Sequence, residues 1–349
     1  MRRILAVKLR PFGDAILAGT CFEALRAAFP KAWITALVQP PAHELYKKSG
    51  WVNEVIAYHR GAIDRQFFLT RLWKNQKLVR ALKKRRFDLA VDFSAAHRSA
   101  QFIRWSVPGL KVGLGLPPVR GFYDLNAKGD DELSVSAVEL DRRILGMIGL
   151  EPKPHDRPGG YWHVPAEAFQ YADIFWKANR FGEKDVVVAV NPFASSESKE
   201  WYPEKWAVVL KELLDNGIKL FFTCAPLEKK GLGAIEKALG QTLPTYSGRL
   251  LTPLMGLYRK ANVVLSVDSG PRHLAAAVGT PTLTVWGPEL VSRWHPYSLE
   301  KHPVVLKEVP CRPCGLYVCV EKKHECLVAL QPADVLKAFK QLLKKVTAS

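Results

Sequence analysis

Short apolar runs alternate with amphipathic stretches along almost the whole chain. In the first half, the runs "ILAVKL", "AWITALVQ", "EVIAY" and "DLAVDF" are rich in β-branched residues. Longer segments with helical periodicity separate them, among them a strongly basic one at residues 66–86. Apolar runs separated in this way are typical of parallel strands connected by helices. The pattern therefore predicts an α/β architecture.

A second alternation follows a segment rich in proline and glycine, "EPKPHDRPGG", which predicts a linker at residues 151–160. Beyond it, "DVVVAVNP", "IKLFFTCAP", "VVLSVDSG" and "PTLTVWGP" are predicted strands, and residues 332–345 form a predicted basic helix. We therefore expect two doubly wound, Rossmann-like domains, 1–160 and 161–349, that face one another across a cleft. Ligands are expected at the carboxyl ends of the strands. The final helix is expected to pack back on the first domain.

Composition narrows the choice of partners. The chain has 349 residues, with 51 lysines and arginines against 33 aspartates and glutamates, a net charge of +18. This balance favours nucleic acid, an anionic membrane or a phosphorylated substrate, and an ordinary solvated basic surface is the less favoured alternative. No run approaches the ~20 apolar residues of a membrane span. The start, "MRRILAVKL", is too short in apolar residues for a signal peptide, so a cytoplasmic protein is expected.

An aspartate, Asp14, follows Gly13 where the first predicted strand ends and a helix begins. The glycine allows the backbone to approach a ligand closely. An aspartate in a first helical turn is also explained by free N–H groups and the helix dipole. No G-x-G-x-x-G pattern follows the strand, so this turn is not a dinucleotide fingerprint.

Two turns of the second half carry groups that suit an anion. In "VNPFASSESKEWYPEKW", Ser195, Ser196 and Lys199 follow a predicted strand at a helix entrance, where hydroxyls and a lysine suit phosphate oxygens. In "LSVDSGPRHLAAAVGTP", a proline opens a helix directly after a strand and leaves backbone N–H groups free. The residues of interest there are Asp268, Ser269, Gly270 and His273.

Together these motifs resemble glycosyltransferase family 9, the lipopolysaccharide heptosyltransferases, from about residue 4 to residue 294. The text "LRPFGD" is more similar to heptosyltransferases of the third, branching type than to those that add the first heptose. The resemblance implies a GT-B fold, ADP-heptose as donor, and inverting transfer with no cofactor or metal in catalysis. It also implies that Asp14 is the general base on the acceptor hydroxyl, on the domain opposite the nucleotide.

The resemblance extends to further residues. It implies that Lys199 stabilises the leaving diphosphate as a second catalytic residue. Donor-binding residues are then expected at Ser195, Ser196, Glu228, Asp268, Ser269, Gly270 and His273. Acceptor-binding residues are expected at or beyond the ends of predicted strands in the first half, at Lys8, Arg10, Gly13, His97 and Arg98.

Four cysteines, Cys311, Cys314, Cys319 and Cys326, lie within sixteen residues in the spacing C-x2-C-x4-C-x6-C. Four soft ligands this close suit tetrahedral zinc or a single iron in a closed structural site. His324 is an alternative ligand, and four reduced thiols are the alternative to any metal.

The sequence thus predicts an inverting glycosyltransferase that moves heptose from ADP-heptose to a hydroxyl of the lipopolysaccharide inner core. Its expected partners are ADP-heptose, the lipid A–core acceptor and the anionic inner-membrane surface, on the cytoplasmic face of a Gram-negative inner membrane. Alternatives are a protein acceptor, another nucleotide sugar, or a binding module without turnover. A nucleic-acid-binding protein is disfavoured, because no helix-turn-helix, RNA-recognition or zinc-finger text is present.

Overall fold

The computed structural model describes residues 2–115, 117–127, 135–320 and 324–348. The chain divides into two compact units, Met1–Pro154 and His155–Ser349. Each unit has its own sheet and its own helices, as the two alternations in the sequence predicted.

The first unit contains a six-stranded sheet in which every neighbouring pair is parallel. Its strand order is β3-β2-β1-β4-β5-β6, with Leu5 of the first strand beside Thr35 on one side and Ala90 on the other. Because helices cover both faces of such a sheet, its central strands are apolar almost throughout. The strands are β1 (Arg3–Lys8), β2 (Trp33–Val38), β3 (Glu54–Ala57), β4 (Leu89–Asp92), β5 (Leu110–Gly113) and β6 (Leu125–Asn126).

Seven helices belong to the described part of this unit. The single helix expected after β1 is two helices that meet at Ala18. The last helix begins with a capping interaction, in which the hydroxyl of Ser136 accepts a hydrogen bond from the N–H of Glu139. The helices are α1 (Phe12–Leu17), α2 (Gly19–Ala28), α3 (His43–Lys48), α4 (Arg60–Asp64), α5 (Phe68–Lys84), α6 (His97–Ser106) and α7 (Ala137–Gly146).

The second unit repeats this topology. Its sheet is again parallel throughout, in the order β12-β11-β10-β7-β8-β9. Counted from its own first strand, this is the order of the first unit, and it is the classical doubly wound order. The strands are β7 (Val187–Asn191), β8 (Lys219–Cys224), β9 (Thr245–Ser247), β10 (Val263–Val267), β11 (Thr282–Val285) and β12 (Val304–Val305).

The final helix of the second unit contributes to the core of that unit. Its apolar residues Val335, Phe339 and Leu342 are buried in the core of their own unit. The helices are α8 (Ala166–Ala178), α9 (Pro203–Asp215), α10 (Lys229–Leu239), α11 (Leu251–Lys260), α12 (Gly270–Ala277), α13 (Val291–Trp294), α14 (Glu325–Val328) and α15 (Pro332–Ala348). Across the described residues, no helix combines the length and apolar character that crossing a bilayer requires.

Candidate functional site

The strand order reverses once in each sheet, between β1 and β4 in the first unit and between β7 and β10 in the second. Doubly wound domains bind ligands at the carboxyl ends of the strands beside such a reversal. Asp14 follows β1, Lys199 follows β7 and Asp268 follows β10. The residues predicted from the motifs therefore lie at the two positions where this topology forms ligand sites.

In the second unit, Asp268 joins two cations. The Nζ of Lys199 lies 2.9 Å from one of its carboxylate oxygens, and the Nε of Arg272 lies 3.0 Å from the other. The same Nζ is 3.1 Å from an oxygen of Glu289. Two carboxylates thus fix the lysine, and one of them also fixes the arginine.

The electrostatics keep these groups ionised. Burial would raise the pKa of Asp268, but Arg272 and Lys199 outweigh it and hold that pKa below its usual value. Burial likewise opposes the charge on Lys199, yet Asp268 and Glu289 raise its pKa. Lys199 therefore carries a positive charge at the end of β7 at any neutral pH.

Sequence reasoning missed Arg272 and Glu289. Arg272 is fully buried, with its guanidinium 4.6 Å from the ring centre of Trp286 and one nitrogen donating to the carbonyl of Trp294 at 2.9 Å. Its position four residues after Asp268, on the first turn of α12, was a usable signal. Glu289 follows the β11 strand after "VWGP" and gave no comparable signal.

The remaining residues of the predicted phosphate turn lie at the start of α12. Gly270 is its first residue, and the hydroxyl of Ser269 donates to Asn191 at 3.3 Å. His273 is buried, with Nδ1 3.0 Å from the hydroxyl of Tyr297. Burial, and then the charge of Arg272, holds the pKa of His273 far below its usual value, so the ring is neutral.

The loop after β7 is tied to the segment that carries the cysteines. The hydroxyl of Ser196 donates to the carbonyl of Tyr317 at 2.7 Å, and that of Ser198 donates to the carbonyl of Leu316 at 2.6 Å. Ser195 is exposed. Glu228 immediately precedes α10 and accepts a hydrogen bond from the N–H of Ala225 at 2.7 Å. Ser196 thus supports the loop, and Ser195 and Glu228 lie closer to solvent.

The four cysteines of the predicted metal site differ in their exposure. Among the described residues, no group of three or more His, Cys, Asp or Glu side chains is arranged to hold a metal ion. Cys311 and Cys314 are exposed, Cys319 is partly exposed and Cys326 is buried. Burial, and after it the neighbouring Cys311 and Cys314, raise the pKa of Cys326, so these thiols lie near one another, and a structural zinc or iron here stays a prediction.

In the first unit, Asp14 lies in the first turn of α1, where its backbone carbonyl accepts from the N–H of Ala18 at 3.0 Å. Its side chain is partly buried, and Gly13 beside it is buried. After burial, the negative charge of Asp14 also contributes to raising the pKa of Asp141 in α7.

Lys8 does not have its predicted place among the acceptor ligands. It is 3 % exposed, and its Nζ lies 2.7 Å from a carboxylate oxygen of Asp141 and 2.9 Å from the carbonyl of Phe93. Burial raises the pKa of Asp141 to about 6, against the opposing charge of Lys8. Lys8 is therefore held in a buried ion pair at the end of β1.

Two of the predicted acceptor residues line a pocket of about 320 Å³ in the first unit. His97 is exposed at the start of α6, and Arg98 beside it donates to Asp64 at 2.7 Å and to the hydroxyl of Tyr58 at 3.2 Å. Arg10 lies near by, since its Nε donates to the carbonyl of Ser94 after β4 at 2.6 Å. The lining residues are Leu9, Tyr58, Arg60, Ala96, His97, Arg98, Ser99 and Gln101.

Two doubly wound units of this strand order have the architecture of the GT-B fold. The chain belongs to glycosyltransferase family 9 (heptosyltransferase), whose model matches residues 75–325. It is 26% identical to lipopolysaccharide core heptosyltransferase OpsX of Haemophilus influenzae over 258 residues, 72% of this chain and 66% of that one. It is also 26% identical to a lipopolysaccharide heptosyltransferase 3 of Escherichia coli over 373 residues, covering 97% and 98% of the two chains.

Among solved structures, the E. coli heptosyltransferase WaaC with ADP-2-deoxy-2-fluoro heptose superposes with a TM-score of 0.71 at 20% identity, covering 98% of this chain and 99% of that one. At this identity the likeness is one of fold.

Proposed function

We propose that this enzyme transfers heptose from ADP-heptose to a hydroxyl of the lipopolysaccharide inner core with inversion at the anomeric carbon. The observation that carries the proposal is the chemistry at the two reversal points. A carboxylate, Asp14, follows β1 in one unit, and an ionised lysine, Lys199, follows β7 in the other.

In the proposed step, the oxygen of the acceptor hydroxyl attacks the anomeric carbon while Asp14 takes its proton. The bond from that carbon to the diphosphate breaks, and its electron pair leaves with ADP. General-base help of this kind is worth about 10²–10⁴ in rate. Lys199 stabilises the negative charge that grows on the diphosphate, where a fixed cation has its largest effect.

The second unit is proposed to bind the donor. Lys199 and the backbone N–H groups at the start of α12 are suited to a diphosphate. Ser269, Gly270 and His273 belong to the same turn and are proposed to line the diphosphate and sugar. WaaC, which shares the fold, has been solved with an ADP-heptose analogue, and this supports the choice of donor.

The acceptor is proposed to occupy the pocket beside α6, where Arg98, His97 and Arg60 offer positive charge and hydrogen-bond donors to an acidic, phosphorylated sugar. Relatives named for lipopolysaccharide core transfer support this acceptor class. We place the enzyme at the cytoplasmic surface of the inner membrane of a Gram-negative bacterium, where a lipid-anchored core is available.

Release of ADP from ADP-heptose, measured with a panel of truncated lipopolysaccharide cores, tests the proposal. We expect release with one core structure, and a fall of at least 10²-fold in kcat for Asp14→Asn with ADP affinity within a few-fold of wild type. Asp88→Asn is the matched control, because Asp88 accepts from the N–H groups of Arg2 and Arg3 at the opposite end of the same strand; its kcat should not change.

The outcomes separate the parts of the proposal. ADP binding without release on any core would contradict the acceptor and point to a protein hydroxyl or another nucleotide sugar. A large loss of ADP affinity in Asp14→Asn would make Asp14 structural, and no ADP binding by the wild type would contradict the donor.

A further inference from the structure

A cluster of large apolar side chains is exposed where α5 begins. Phe67 is 78% exposed, and Phe68, Leu69, Leu72 and Trp73 follow within six residues with between 44% and 65% of their surfaces exposed. Scattered exposed apolar residues are ordinary, but a contiguous group of this size marks a contact surface. We name residues 67–73 the apolar tip.

The other end of α5 is fixed in the unit. Leu82 is fully buried in its core, and Leu78 and Val79 pack against that core. The helix is thus anchored at its carboxyl end, while its first two turns present the tip to solvent. The tip is therefore not explained as a badly packed piece of core.

Positive charge runs along the whole helix that begins with the tip. Residues 60–86 contain ten lysines and arginines and one acidic residue, Asp64, a net charge of +9 that is half of the chain's +18. Asp64 is itself paired with Arg98 at 2.7 Å. The guanidinium of Arg71 lies 5.5 Å from the ring centre of Phe68, and the ammonium of Lys77 lies 5.3 Å from that of Trp73. Aromatic rings and cations are thus interleaved on one surface.

We propose that this surface docks the enzyme on an anionic phospholipid bilayer, with the apolar tip in the headgroup–acyl boundary and the surrounding cations on lipid phosphates. Aromatic and leucine side chains beside lysines and arginines are the composition of interfacial helices. The surface does not suit a second copy of this chain, because that contact would bring two equal positive fields together.

The docking surface is connected to the proposed acceptor pocket. The hydroxyl of Tyr58, a lining residue, donates to Asn75 of α5 at 3.0 Å, and Arg98 of the pocket holds Asp64 of α4. Because these contacts join the pocket to α5, docking of α5 on the bilayer would place the pocket close to sugars that are anchored to the same bilayer by a lipid. The inference deepens the proposed function by naming its membrane contact, but vesicles without any acceptor test it separately.

Co-sedimentation with vesicles of phosphatidylglycerol and phosphatidylethanolamine, set against neutral phosphatidylcholine vesicles, is the experiment. We expect binding to the anionic vesicles that weakens as salt is added. The triple variant Phe67→Ser, Phe68→Ser, Trp73→Ser should bind at least tenfold more weakly, and the double variant Lys74→Glu, Lys77→Glu about tenfold more weakly. Because Phe67, Phe68, Trp73 and Lys77 are exposed and Lys74 is partly exposed, thermal unfolding should match that of the wild type.

Matched controls lie on the second unit. Leu227 and Ile174 are 88% and 69% exposed, so Leu227→Ser with Ile174→Ser removes exposed apolar surface away from the tip. Lys211→Glu with Lys237→Glu makes the same charge change on exposed lysines. Both control pairs should bind vesicles as the wild type does.

Four results would overturn the proposal. They are no wild-type binding to anionic vesicles, equal losses in the tip and control variants, a wild-type dimer that the tip variants convert to monomer, and RNA binding without vesicle binding that the same tip variants abolish. The transfer assay with detergent-dispersed acceptor does not require binding to a bilayer. Failure of the membrane proposal can therefore be distinguished from failure of the proposed function.

Discussion

The carboxylates of Asp268 and Glu289 both contact the Nζ of Lys199 and restrict its side chain to one conformation. A lysine held at 2.9 Å by Asp268 and at 3.1 Å by Glu289 needs no rotamer search when a diphosphate arrives. A lysine carries considerable rotamer entropy when free, so this arrangement prepares the cation in advance. Asp268 is paired with both Lys199 and Arg272, and its contact with the donor stays a prediction.

We expect Lys199→Met to lower kcat for ADP release by about 10²–10³, the usual loss when one charge-stabilising donor is removed. Lys199→Arg should recover part of the loss, because it keeps the charge while changing its geometry. Steady-state kinetics at saturating acceptor measure both. An unchanged kcat in Lys199→Met would remove this residue from the catalytic step.

At the scale of elements, the packing of two helices depends on one residue without a side chain. A Cβ on Gly256 of α11 would lie 1.9 Å from the carbonyl oxygen of Ala168 in α8. The two helix backbones therefore approach closely enough that only glycine fits between them.

Gly256→Ala should lower the free energy of unfolding by about 1–3 kcal/mol, the usual cost of overpacking. Gly233→Ala in α10 is the matched control, since no atom of the described residues outside its own helix lies within 4 Å of the added Cβ. Alanine is preferred to glycine within a helix, so this control should gain about 0.5–1 kcal/mol. Denaturant titration measures both, and a stability gain in Gly256→Ala would contradict the close approach.

The central strands were predictable because parallel strands that are buried on both faces are apolar without interruption. The edge strands β6 and β12, two residues each, give no such pattern. Helix ends were less exact: the basic segment expected at 66–86 forms α5 over Phe68–Lys84.

The sites were predictable only in part. The motifs pointed to Asp14, Lys199 and Asp268 because each follows a predicted strand. The partners that fix such side chains lie far away in sequence, as in the pairing of Lys8 with Asp141 across 133 positions. A single sequence does not show which distant residues come into contact. It therefore could not show whether Lys8 forms a buried ion pair or lies on an open surface.

At the scale of the whole molecule, the second unit keeps a group of histidines neutral around Tyr297. The rings of His273, His295 and His302 lie 5.8, 5.5 and 5.1 Å from the ring of Tyr297. Burial lowers the pKa of His295 to about 4, with a further contribution from Arg272, and burial lowers that of His302 to about 3. Protonation of these rings therefore favours the unfolded chain.

The sign follows from linkage. The stabilisation is fully present above the unfolded histidine pKa of about 6.5 and is lost as the pH falls toward the folded values. For His302 the loss between pH 7 and pH 5 amounts to about 2 kcal/mol. Denaturant titrations at the two pH values should show His302→Gln losing less stability than the wild type by about that amount. His59 is exposed, so His59→Gln should lose as much free energy of unfolding between the two pH values as the wild type. An equal loss in all three proteins would contradict the prediction.

The positive charge concentrated around α5 also affects how the enzyme is oriented before it touches a charged surface. A molecule with half of its net charge in one short segment has a large electric moment, and the field of a charged plane exerts a torque on it. That torque acts within about a Debye length, ~8 Å at physiological salt. The enzyme would therefore be turned toward an anionic surface during its approach, so that most encounters begin in one orientation.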